Sequence, residues 1–91
     1  MKIIEVEWDD TNSDHIAFHR VRPSEVDDVC FGNPFVVRKE KGNRYILAGR
    51  SSAGRYLMVV VEQIGGGKVR PITAYDMDEN QKRGYKRRVG G

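Results

Sequence analysis

Four arginines, Arg44, Arg50, Arg55 and Arg70, stand on or beside stretches that alternate like β-strands. Strands hold side chains far more firmly than tails do. A guanidinium is planar, permanently charged and forked, so it grips two oxygens of a phosphate or carboxylate at once. Arg44 and Arg50 are six residues apart, which puts them on one face of a regular strand. Arg70 precedes Ile72 by two and points with it unless the strand end twists. A basic run follows at Lys82, Arg83, Lys86, Arg87 and Arg88. Taken alone it is an ordinary solvated helix face, or else it lies along a polyanion backbone with a steep salt dependence. His15 and His19, the two histidines, are four apart on a predicted helix. That spacing seats two metal ligands, but no motif supplies a third, so no metal and no cofactor is expected. His19 is a candidate proton carrier, because imidazole titrates near neutral pH. The competing reading is structural, with a ring packed beside Trp8 or bonded to backbone. Tyr75 and Tyr85 can stack on a nucleic-acid base or bond a phosphate, although Tyr85 also continues an apolar stripe and reads as core.

A chain of 91 residues bounds the elements that hold these groups to one small domain spanning residues 1–91. Its 38% hydrophobic and 32% charged content belongs to a folded domain. A single cysteine, Cys30 between Val29 and Phe31, rules out an internal disulfide and a multi-cysteine zinc site, and reads as a small core residue. The longest apolar run, Leu57 to Val61, is too short to span a bilayer. No basic-then-apolar leader opens the chain, so a cytoplasmic location is the expectation. The net charge of +3 hides a division: residues 1–36 carry three basic and eight acidic side chains, residues 37–91 thirteen basic and five acidic. Either one face welcomes an anion and another a different partner, or the charge serves solubility alone.

The elements follow from the periodicity. Met1 to Trp8 alternates as a strand with Ile4, Val6 and Trp8 on one face. Asp9 to Asn12 supplies cap residues for a helix over Thr11 to His19, with Asn12, His15, Ile16 and His19 facing inward. Arg22-Pro23-Ser24-Glu25 opens a second helix that buries Val26, Val29 and Cys30, exposes Asp27 and Asp28, and stops at Gly32-Asn33-Pro34. Strands follow at Phe35–Arg38, Arg44–Arg50, Arg55–Gln63 and Val69–Tyr75, the last with Ile72 and Ala74 on one side and Thr73 and Tyr75 on the other. Gly65-Gly66-Gly67 is a hairpin connection, since a phosphate loop needs a helix after it. Asp76 or Asp78 caps a final helix whose stripe is Met77, Gln81, Tyr85 and Val89; Val89 to Gly91 are expected to fray. The order β-α-α-β-β-β-β-α predicts a two-layer α+β domain, a mainly antiparallel sheet with its helices on one face.

In Glu7-Trp8-Asp9, His15 to Val21, Pro23-Ser24-Glu25-Val26, Arg44, Gly49-Arg50-Ser51, Gly54-Arg55 and the valine-rich strand behind it, Val69 to Ala74, Lys82-Arg83 and Tyr85, the chain resembles the BrnT-type toxins of bacterial toxin–antitoxin pairs. The resemblance covers nearly the whole chain in a consistent order. It implies a RelE-like fold and a small metal-independent endoribonuclease, a hydrolase that cleaves RNA and slows translation. It also implies a cognate antitoxin, usually DNA-binding, that covers the toxin in a hetero-oligomer. Two places depart from the pattern. The family's Ser-Ala-Arg appears as Thr73-Ala74-Tyr75, and its Lys-His-Gly as Phe18-His19-Arg20.

Metal-free RNA cleavage needs a group to help remove the 2′-hydroxyl proton, cations to stabilise the phosphorane, and an acid for the leaving 5′ oxygen. The residues read for these roles are Arg44, Arg50, Arg70, Tyr75 and His19. Arg55, Lys82, Arg83, Lys86 and Arg87 are read as contacts to the RNA backbone. The alternative is a catalytically weakened or inactive RNA- or partner-binding module of the same fold, which the Tyr75 replacement favours. A purely structural partner subunit is a third possibility.

Overall fold

The computed structural model describes residues 1–90. Its elements are β1 (Glu5–Val6), α1 (Asp10–Ala17), α2 (Pro23–Phe31), β2 (Phe35–Lys39), β3 (Arg44–Arg50), β4 (Tyr56–Gly65), β5 (Lys68–Asp76) and α3 (Glu79–Arg88). This α+β architecture has one five-stranded sheet of order β1-β5-β4-β3-β2, antiparallel except where β1 runs parallel to β5. Short turns join β2 to β5 in sequence, so each strand pairs with the one before it. The α1–α2 excursion carries the chain from β1 at one edge of the sheet to β2 at the other, and β5 then returns beside β1.

The helix starts follow the caps. Asp9 accepts from the Asn12 N–H while the Asn12 side chain accepts from the Asp9 N–H, a reciprocal cap that starts α1 one residue earlier than expected. Asp78 and Gln81 repeat the arrangement at α3. At α2, Pro23 occupies the first turn and Glu25 accepts from the Arg22 N–H. Of the three residues expected to fray, Gly91 lies outside the described residues; the Val89 N–H donates to the Tyr85 carbonyl at 3.0 Å.

The layers differ from the expectation. Leu47, Leu57, Val59, Val61, Val69 and Ala74 turn one way and bury against Ile16, Val26, Val29 and Cys30 of α1 and α2. Ala48 and Met58 turn the other way, with Met77, Tyr56, Tyr75 and Tyr85 packed on them. The third helix therefore covers the opposite face, and the domain has three layers rather than two. Alternation in β3 and β4 is the cause: both residue parities are apolar, so both faces need cover.

Three smaller expectations also change. The first strand shrinks to Glu5–Val6, and Ile3 rather than Ile4 is buried. His15 and His19 are exposed, leaving Asn12 and Ile16 as the inward face of α1. In β5 the register shifts between the Val60–Thr73 and Val61–Pro71 pairs, so Pro71 joins Val69 and Ala74 on the buried side and Ile72 sits in the irregularity. Proline lacks the N–H that a regular ladder requires, and a bulge accommodates it.

The sheet and α2 approach closely at Gly49 of β3, where a Cβ would stand 2.6 Å from Val29 Cγ1 of α2. Gly49→Ala is expected to destabilise by about 1–3 kcal/mol in urea unfolding through overpacking, although alanine ordinarily suits a strand better than glycine. In the Gly49→Ala, Val29→Ala double variant, the two losses should sum to more than the measured one.

Candidate nucleic-acid interface

The predicted site residues separate into two groups at opposite ends of the sheet. Arg44 and Arg50 do share a face, because the β3–β4 register runs without interruption from the Arg44–Glu62 pair to the Arg50–Tyr56 pair. Six residues of strand nevertheless put them about 20 Å apart. Arg70 lies at the Arg44 end, also opposite Glu62. Tyr75 lies toward the other end, opposite Met58.

At that other end, Arg50 stands with its guanidinium carbon 4.9 Å from the Tyr56 ring centroid. Lys86 and Lys82, one helical turn apart on α3, bring their ammonium groups to 5.3 and 5.9 Å from the same ring. Tyr85 meets Tyr56 edge-on at 5.9 Å and Phe35 at 5.9 Å, and Arg88 lies 5.6 Å from Phe35. Three cations around one half-exposed ring repel one another, and the ring's negative faces offset only part of that. An anion placed among them would relieve it.

The local chain sets this geometry. Ser51 to Arg55 turns β3 back into β4, with Gly54 at φ 91°, a conformation other residues adopt with strain. The Gly54 carbonyl accepts from Arg50 Nε at 3.2 Å, which steers the guanidinium over Tyr56. Sequence reasoning missed Tyr56, reading it only as part of an apolar strand. The signal was present: residues flanking a hairpin turn pair directly, and directly opposed residues share a face.

Two other strand-borne or turn-borne arginines, Arg55 and Arg70, are engaged elsewhere. Arg55 donates to both oxygens of Asp76, at 2.7 and 3.0 Å, and through Nη1 to Glu25 at 3.1 Å and the Arg20 carbonyl at 2.8 Å. It ties the start of α2 to the end of β5, and its fork is filled by carboxylates in place of phosphate. The same hydrogen bond holds the Asp76 carboxyl below its ordinary range. Arg70 pairs with Asp9, the cap of α1, and that bond lowers the Asp9 carboxyl in turn. Arg83 donates to Asn80 one turn back, and Arg87 is exposed. Lys82 also lies 3.5 Å from Glu79.

His19 is 6.4 Å from Tyr75, ring to ring, so these two predicted residues do meet. The structural roles expected for the histidines go to other groups: Trp8 donates to Asp27 at 2.9 Å, and Asn12 donates to the Glu7 carbonyl at 3.0 Å. Cys30 is buried, and burial pushes its thiol up to about 12, so it offers no thiolate at neutral pH. Among the described residues, no group of three or more His, Cys, Asp or Glu is placed to hold a metal ion, and no helix is long and apolar enough to cross a membrane. Set against known proteins, the chain matches no family model, no curated sequence and no solved structure.

Asp9 and Asp76 contribute to the acid response. Both are depressed in the folded chain, so their stabilisation is complete above the unfolded value near 3.8 and is lost as pH falls through the lower folded values. Asp76→Asn is expected to be less stable than the parent at pH 7 and to lose less on acidification below about pH 4. Urea midpoints measured from pH 7 down to pH 2 check this.

Proposed function

We propose that the chain is an RNA-binding protein and, as its resemblance to the BrnT-type toxins suggests, an endoribonuclease toxin of RelE-like fold held in check by an antitoxin. The observation that carries the RNA reading is the convergence of Arg50, Lys82 and Lys86 on Tyr56. A ring ringed by cations suits a nucleotide: the base stacks while the cations meet the phosphates. The element order supports the fold assignment, and the surplus of acidic residues in the N-terminal portion of the chain suits a partner of opposite charge.

The catalytic reading uses residues at the same end of the sheet. Arg50, with Lys82 and Lys86, stabilises the phosphorane formed when the 2′-hydroxyl attacks the adjacent phosphorus. His19 and Tyr75, side by side, are the groups for moving protons to or from the reacting oxygens. Cleavage then leaves a 2′,3′-cyclic phosphate and a free 5′-hydroxyl. Arg44 and Arg70 stand too far along the sheet to act on the same phosphate.

A specific observation favours the binding-module alternative. Two of the arginines read as ligands, Arg55 and Arg70, are held by carboxylates, leaving Arg50 as the one strand arginine at the Tyr75 end of the sheet. The two readings separate on incubating the purified chain with RNA in chelator-containing buffer. Cleavage that survives in buffer and is lost in both Arg50→Ala and His19→Ala supports the enzyme. Binding without cleavage supports the module, and absence of both removes the RNA reading. In either supported case Arg50→Ala is expected to weaken binding and to reduce the slope of log affinity against log salt by about 1.

A further inference from the structure

Phe18 follows the last residue of α1 and is 84% exposed, a large apolar ring that folding leaves in water. His19 lies beside it edge-on at 5.5 Å, and His19 is in turn 6.4 Å from both His15 and Tyr75. Tyr75 packs on the same Ala48–Met58–Met77 cluster that Tyr56 packs on. A row of rings therefore leads from the end of α1, past the β5 edge, onto the cationic patch.

The two ends of the row differ in charge. Around Tyr56 stand three cations. The hollow beside Phe18 is lined by Thr11, Asp14, His15, Phe18 and His19, with one carboxylate and no lysine or arginine. Phosphate is attracted to the first end and repelled by Asp14 at the second. Aromatic faces without cations favour the uncharged faces of bases. An apolar protein side chain would cover Phe18 but leave the three cations at the other end of the row without an anion.

We propose that Phe18 forms a base-stacking station for single-stranded RNA, whose phosphates run on past His19 and Tyr75 toward Arg50, Lys82 and Lys86. This rests on the RNA-binding reading above and adds a substrate class: unpaired strands, since a duplex keeps its base faces stacked inside. Phe18 determines that preference by contributing a ring face and no charge.

The test uses a short fluorescent oligoadenylate, alone and annealed to oligouridylate, with anisotropy read across a salt series. The parent chain is expected to bind the single strand more tightly than the duplex. Phe18→Ala should lower single-strand affinity by about fivefold or more and leave the salt slope unchanged, because no phosphate contact is lost. Phe18→Trp should restore affinity. The urea midpoint of Phe18→Ala should equal the parent's, since the ring is in solvent. Parent-like binding by Phe18→Ala overturns the station while leaving the RNA reading intact, and it does so equally if that variant loses affinity for a protein partner instead. A shallower salt slope in Phe18→Ala overturns it too, by assigning Phe18 to phosphate positioning. Absence of RNA binding by the parent chain overturns both readings.

Discussion

The two-sided burial of β4 is the constraint on which the rest depends. It is the middle strand of five, paired along most of its length to β3 and β5, and its neighbouring residues Leu57, Met58 and Val59 are all buried. Each such side chain taken from water contributes about 1.5–3 kcal/mol, so neither face can be left open. The α1–α2 pair covers Leu57, Val59 and Val61, and α3 with its tyrosines covers Met58. The first cover is thick and aliphatic. The second is a single polar helix whose apolar contribution is Tyr85, with Met77 just ahead of its cap, and it leaves the Tyr56–Tyr75 end of that face half-buried. A candidate site at that end is a consequence of how little apolar surface α3 brings.

Electrostatics then sorts the arginines. Arg55 and Arg70 each bridge a strand to the start of a helix, through Glu25 and Asp76 in one case and Asp9 in the other. Partly exposed pairs of this kind contribute modestly to stability, but they fix where α1 and α2 begin relative to the sheet. Arg50 has a ring and a backbone carbonyl as partners instead of a carboxylate. Its charge is accordingly uncompensated, as are those of Lys86 and, in part, Lys82. Structural and ligand-seeking cations are thus distinguished by their partners, since all are arginines or lysines on regular elements.

The surface formed in this way has a gradient of chemistry along a line of rings, from Phe18 and His19 through Tyr75 to Tyr56, Tyr85 and Phe35. Cations crowd one end, and the hollow at the other is lined by none. The proposed ligand, a polyanion with stackable bases, would meet both halves, with backbone charge where the cations are and base faces where they are not.

The sequence by itself determined the local structure. Element order, the helix caps at Asp9 and Asp78, the proline start of α2, and the burial of Val26, Val29 and Cys30 were legible, because each depends on residues within one turn or one strand of one another. The tertiary structure alone decided three things. It put α3 across the sheet from α1 and α2, since periodicity identifies a strand's two faces without saying which helix covers each. It set Arg44 about 20 Å from Arg50 although both share a face, because alternation fixes direction and not position. And it joined Asp9 to Arg70 and Asp76 to Arg55, across 61 and 21 residues of chain. Which cations remained for a ligand followed from those long-range pairs, and no local pattern encodes them.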